Sequence, residues 1–133
     1  MGEDKTKIAI VGWGNVGRGV YEAIKRNSDM ELTTIFSRDP NRVFNYFSEK
    51  GMHAPNLKNL NYSVLLSAAK KRGEVDVAIL CGGSAKDLPE QGPEFAKYFN
   101  TVDSFDTHAK IPEYFAKMNE ISTRNKGTSI ISA

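Results

Sequence analysis

Three glycines at the spacing Gly12-Trp13-Gly14-Asn15-Val16-Gly17 follow directly on the apolar run Ile8-Ala9-Ile10-Val11. Glycines in this pattern bring backbone close to a diphosphate. The first permits a tight turn. The second has no side chain, so the backbone approaches the pyrophosphate. The third lets the next helix pack against the strand. The helix opening there offers unpaired N–H groups and a partial positive charge to an anion. The spacing alone is a weak signal. Its setting strengthens it, with an apolar strand before it and the helix-forming segment 16–25 after it.

Two further clusters stand where strands should end. About 20 residues past the glycines, an acidic residue would accept bonds from ribose hydroxyls and select NAD. This chain has Phe36-Ser37-Arg38 there. Ser37 donates to a phosphate and Arg38 pairs with it in a planar fork, which favours NADP. Asp39 counts against that preference if it neutralises Arg38. Later, Cys81-Gly82-Gly83-Ser84-Ala85 ends an apolar run. Its small residues leave room for a ribose and nicotinamide, and Ser84 is a candidate hydrogen-bonding partner. Cys81 itself reads as a buried small residue rather than a nucleophile.

The third cluster is Thr101-Val102-Asp103-Ser104-Phe105-Asp106-Thr107-His108. Carboxylates at this edge would hold a substrate ammonium group and orient the carbon that gives up hydride. Asp103 and Asp106 read equally well as turn or cap residues. His108 reads as a loop hydrogen-bonder. With Cys81 far away in sequence, it makes no zinc site, and no metal is expected.

The elements that would position these clusters alternate in type. Strands are expected over 7–11, 31–36, 75–81, 100–102 and 128–132, and helices over 16–26, 62–71, 89–98 and 111–125. The stretch 42–58 has no clear period. Asp76 interrupts an otherwise continuous apolar strand, and such strands suit the middle of a parallel sheet. Alternation of this kind predicts an α/β fold of Rossmann type, a doubly wound, mostly parallel sheet with helices on both faces.

At 133 residues the chain is about one domain, and residues 1–133 are expected to form a single dinucleotide-binding unit. The formal charge of +2 is too small to argue for nucleic acid. Lys70-Lys71-Arg72 is the one tight basic run and reads as a solvated helix end. No segment approaches the ~18 apolar residues of a membrane helix. A single cysteine excludes an internal disulfide and suits a reducing, cytoplasmic setting. The sequence stops just past its last strand, where another ligand-facing loop is expected, so a fragment is the expectation.

Four segments together carry a family resemblance: Ile-Val-Gly-Trp-Gly-Asn-Val-Gly-Arg; Ile-Phe-Ser-Arg; Cys-Gly-Gly-Ser-Ala-Lys-Asp-Leu-Pro-Glu-Gln-Gly-Pro; and Thr-Val-Asp-Ser-Phe-Asp-Thr-His. They resemble the meso-diaminopimelate D-dehydrogenase family, as do Ile111-Pro112 and Met118-Asn119-Glu120. The resemblance spans nearly the whole chain outside 41–74. It implies NADP binding and oxidative deamination of the D-centre of meso-2,6-diaminopimelate to L-2-amino-6-oxopimelate, with release of ammonia. In reverse this serves lysine and cell-wall precursor synthesis. It also implies a homodimer with a separate substrate and dimerisation domain, absent from this chain.

Carried over by matching position, the resemblance puts Gly12, Trp13, Gly14, Asn15, Val16 and Gly17 at the pyrophosphate. Ser37 and Arg38 fall at the 2′-phosphate. Cys81, Gly82, Gly83, Ser84, Ala85, Ser104 and Phe105 line the cofactor, and Asp106 meets the substrate's ammonium group. The chain departs from the pattern in three ways. Many relatives carry a second arginine where Asp39 stands. Some have an acidic residue in place of Lys110. The family also continues past Ala133 with a Gly-Trp-Asp-Pro-Gly loop and a substrate domain, so this piece alone is expected to have little activity. Two other readings compete: a non-catalytic NADP(H)-binding regulatory module, and the cofactor domain of another NAD(P)-dependent dehydrogenase.

Overall fold

Alternate residues of β1 (Thr6–Val11) enter two different cores. Ile8 and Ile10 pack with Trp13, Tyr21, Ile24, Ile35, Val43 and Phe47 on one face. Ala9 and Val11 pack on the other, with Phe36, Leu80, Phe95 and Met118 among their cluster. A strand apolar on both faces must be covered on both, which places it mid-sheet. Each large side chain fully buried this way contributes roughly 1.5–3 kcal/mol.

The computed structural model describes residues 5–60, 64–83 and 85–132. Its remaining elements are α1 (Asn15–Lys25), β2 (Met30–Ser37), α2 (Pro40–Glu49), β3 (Asn56–Asn59), α3 (Val64–Lys71), β4 (Val77–Leu80), α4 (Leu88–Ala96), β5 (Asn100–Asp103), a 3-10 turn (His108–Lys110), α5 (Ile111–Arg124) and β6 (Ser129–Ile130). The strands form one sheet in the order β3-β2-β1-β4-β5-β6, and every pairing is parallel. This is the doubly wound, Rossmann-type order, in which the strand sequence runs outward in opposite directions from the boundary between β1 and β4. Helices α1 and α2 supply one core, and α3, α4 and α5 the other. Among the described residues, no helix is long and apolar enough to cross a membrane.

The elements expected from the pattern form, with no end shifted by more than two residues. Helix α3 falls within the expected 62–71, whose first two positions lie outside the described residues. Lys70, Lys71 and Arg72 are exposed at its end, as a solvated run should be. Strand β4 is shorter than expected because Asp76 is used at the sheet's amino edge. Its N–H donates to the Lys7 carbonyl and its Oδ2 accepts from the Lys7 N–H, both at 2.8 Å.

Helix α2 and strand β3 lie in the stretch that showed no period. The Asp39 side chain accepts a hydrogen bond from Arg42 N–H at 3.2 Å, and Pro40 occupies the first helical turn. Acid cap followed by proline is a helix-start signal. Val43 and Phe47, one turn apart, face the core. Strand β3 is Asn-Leu-Lys-Asn, with no β-branched residue, and is made a strand by its pairing with β2. An edge strand needs no apolar run.

Candidate functional site

The glycine turn sits at the carboxyl end of β1, at the switch point of the sheet. Gly12 has φ +100°, a left-handed conformation that disfavours any other residue. Its N–H donates to the Phe36 carbonyl at 2.8 Å, and its α-carbon faces the Cys81 backbone. A side chain on Gly17 would overlap the Gly12 carbonyl oxygen, so α1 packs directly on the turn. A side chain on Gly14 would meet nothing within 4 Å. Backbone conformation therefore requires glycine at the first position and contact requires it at the third, whereas the second opens onto free space.

Helix α1 begins without a side-chain cap and without an acidic residue in its first turn. Its first internal hydrogen bond runs from Arg18 N–H to the Gly14 carbonyl at 3.0 Å. The N–H groups of Asn15, Val16 and Gly17 thus have no partner within the helix. Such an end suits an anion. By contrast, α2 is closed by Asp39. Asn15 Oδ1 accepts from Arg18 at 2.6 Å, and the Val16 side chain is exposed. Trp13 is different from its neighbours. Its ring is buried edge-on against Tyr21 and Tyr46 at 5.8 and 5.3 Å, so only its backbone faces the turn.

At the end of β2, Ser37 is buried, and its Oγ accepts from Asp39 N–H at 3.0 Å. That leaves the hydroxyl hydrogen to donate. Arg38 does not pair with Asp39, the neighbour that would have neutralised it. Its guanidinium donates to Asp87 Oδ1 at 2.7 Å. Asp39 is committed to capping α2. Asp87 Oδ2 in turn accepts from Gly83 N–H at 2.8 Å. The Arg38 hydrogen bond, then the Gly83 N–H, hold the Asp87 carboxyl below the usual carboxylate range.

Cys81, Gly82 and Gly83 complete this wall. Burial pushes the Cys81 thiol up to about 12, so it is a neutral, unreactive group at pH 7. A crevice of about 310 Å³ is lined by Gly12, Trp13, Gly14, Ser37, Arg38 and Cys81 to Gly83, with Arg42 and Gln91 beside them. The Gln91 Oε1 atom is buried there with no hydrogen-bond partner among the described residues. The open Gly14 position, the uncapped α1 and the orphaned Gln91 oxygen all fit a dinucleotide laid across the switch point. Ser84 lies outside the described residues. Ala85 is exposed.

The loop after β5 separates the two acids that residue type and spacing alone left equivalent. Asp103 is 2% exposed, and its carboxylate accepts from Phe105 N–H at 2.9 Å, Tyr114 Oη at 2.6 Å and Ser132 N–H at 3.2 Å. It is a structural clamp. Asp106 and Ser104 are exposed beyond it, and His108 opens the exposed 3-10 turn. Phe105 turns inward and stacks on Tyr114 at 4.1 Å, so its side chain faces the core. A second, larger cavity of about 790 Å³ opens here, between Ala85, Phe105, Thr107, Lys110 and Tyr114. Size does not decide between the two. The smaller crevice alone has the glycine turn and free helix N–H groups.

Arg42 was not singled out by the sequence pattern. Its Nη2 donates to the Trp13 carbonyl at 2.7 Å, which brings a second guanidinium onto the crevice wall. The Asp39-Pro40 helix start, three residues earlier, was the signal that would have placed it.

No protein-family profile matches the chain. Meso-diaminopimelate D-dehydrogenase of Ureibacillus thermosphaericus is 50% identical over 129 residues, 96% of this chain. The chain matches the N-terminal portion of meso-diaminopimelate D-dehydrogenases. It spans about 36% of the length of that relative. A crystal structure of a Clostridium tetani meso-diaminopimelate dehydrogenase mutant with diaminopimelate superposes with a TM-score of 0.78 at 48% identity. The overlap covers 97% of this chain and 36% of that one. An engineered D-amino acid dehydrogenase bound to NADP+ superposes with a TM-score of 0.75 at 34% identity, again over 97% and 36%.

Proposed function

We propose that this chain is the cofactor-holding portion of an NADP-dependent amino-acid dehydrogenase acting on the D-centre of meso-2,6-diaminopimelate. The observation that carries the reading is the open second glycine beside an uncapped helix at the sheet's switch point. Likeness to the dehydrogenases over nearly the whole chain supports the substrate class.

In this reading the N–H groups of Gly14, Asn15, Val16 and Gly17 bind the diphosphate bridge, with Gly12 and Trp13 shaping the turn. Ser37 and Arg38 bind the 2′-phosphate. Cys81, Gly82, Gly83 and Ala85 form the wall toward the nicotinamide, and Ser104 and Phe105 bound it through their backbone. NADP, when bound, supplies the hydride acceptor. Asp106, exposed past β5, holds the substrate ammonium group and so orients the reacting C–H. The homodimeric, cytoplasmic setting of a lysine-biosynthetic enzyme belongs to the same proposal.

Fluorescence titration with NADPH and NADH tests the cofactor half of the reading. NADPH is expected to bind and NADH to bind more weakly. An amino-acid screen of NADP reduction on the longest natural form tests the substrate. Turnover of meso-diaminopimelate is expected there. Turnover of a different substrate in its place rejects the assignment.

A further inference from the structure

We propose that Arg42 is a second cationic contact for the phosphate on the adenosine ribose, and hence a determinant of NADP over NAD. The inference rests on the nucleotide reading above and adds a residue to it.

Reach comes first. Arg42 lies in the first turn of α2, yet its guanidinium donates back to the Trp13 carbonyl at 2.7 Å. This contact bridges α2 and the glycine turn. It fixes the guanidinium on the same crevice wall as Ser37 and Arg38. One donor is spent on a neutral carbonyl, and a guanidinium carries five.

Charge comes second. Arg38 is already paired with Asp87, so that corner of the crevice is close to neutral. Arg42 has no carboxylate partner among the described residues. The nearest acid in sequence, Asp39, receives Arg42's backbone N–H rather than its side chain. The crevice wall therefore holds one ion-paired arginine and one arginine without an ion pair among the described residues, with the helix-capping Asp39 carboxylate on the same lining. A phosphate monoester, with nearly two negative charges and three acceptor oxygens, gains from both. A ribose hydroxyl gains an ordinary hydrogen bond at most.

The Trp13 contact sharpens the test. Loss of that contact disturbs the glycine turn, which both dinucleotides share, and weakens both alike. Loss of a phosphate contact weakens only the ligand that has the phosphate. The experiment titrates the full chain and its Arg42→Gln and Arg42→Lys variants with NADPH, NADH, 2′,5′-ADP and 5′-AMP. Melting curves of each variant report folding. For Arg42→Gln we expect about ten-fold weaker NADPH and 2′,5′-ADP binding, with less than about two-fold change for NADH and 5′-AMP. Arg42→Lys should fall between. Equal weakening of both pairs, or unchanged binding of all four, overturns the proposal while leaving the nucleotide reading intact. An unmodified chain that binds neither dinucleotide overturns both.

Discussion

The Arg38 guanidinium lies 2.7 Å from the Asp87 carboxylate, joining the end of β2 to the start of α4 across the crevice. The Arg38 side chain is largely exposed, so the pair contributes little to stability. Its importance is for ligand charge. In the proposed binding mode an incoming 2′-phosphate meets Asp87 as well as Arg38. Asp87→Asn keeps an oxygen for Gly83 N–H and removes the negative charge. We expect NADPH to bind a few-fold more tightly to this variant and NADH to change little, measured by titration at low salt. Weaker NADPH binding would instead make Asp87 a brace for Arg38. The sign with pH follows from the lowered Asp87 carboxyl. Its contribution to stability is complete above the ordinary carboxylate range and is lost as pH falls through its depressed folded value.

Arg38→Ala should weaken NADPH by about 1–3 kcal/mol and NADH far less, because a charged hydrogen-bonding partner of the phosphate is lost. Parallel titrations of the two cofactors measure the difference. Equal losses contradict the role given to Arg38.

The two helix-side glycines should separate folding from binding. Gly17→Ala places a methyl against the Gly12 carbonyl, a backbone atom that cannot yield cheaply. It should cost about 1–3 kcal/mol of stability by overpacking. Gly14→Ala meets open space and has φ −112°, which alanine adopts freely. Its melting temperature should stay near that of the parent, while dinucleotide affinity falls. A Gly14→Ala protein that melts early, or binds normally, contradicts the open cradle.

Tyr114→Phe removes the only donor to Asp103 Oδ2 among the described contacts. A buried carboxylate oxygen left unsatisfied costs about 1–3 kcal/mol. Chemical denaturation measures it. Burial, then the hydrogen bond to Asp103, push the Tyr114 hydroxyl well above its usual range. Its stabilisation is therefore complete below the ordinary tyrosine value and is lost as pH rises beyond it.

Cys81 should resist alkylation in the folded protein. With its thiol raised to about 12 by burial, almost no thiolate is present at pH 8. Mass spectrometry after brief iodoacetamide treatment should find it unmodified in the native state and modified in urea. Rapid native labelling would show the β4 end to be more open than its packing indicates.

Much of this architecture is legible in residue order. The apolar run ahead of Gly12 and the Gly12-Gly14-Gly17 spacing fix the first strand, turn and helix, because each glycine answers a local steric demand. The continuous apolar stretch at 77–80 announces a central parallel strand, since only a strand covered on both faces is apolar throughout. Local chemistry fails where a tertiary partner supplies the order. Asn56–Asn59 becomes β3 only because β2 offers free backbone groups at its edge.

The sequence by itself determined which residue types stand at the carboxyl ends of the strands, because strand period and turn chemistry are local. Tertiary structure alone decided their pairings. It sent Arg38 to Asp87, 49 residues away, rather than to adjacent Asp39. It buried Asp103 as a clamp and left Asp106 exposed. It also carried Arg42 back over 29 residues to the Trp13 carbonyl. Charges choose partners through space. In a parallel sheet the ends of β1, β2 and β4 converge on one crevice, although long segments of chain separate them.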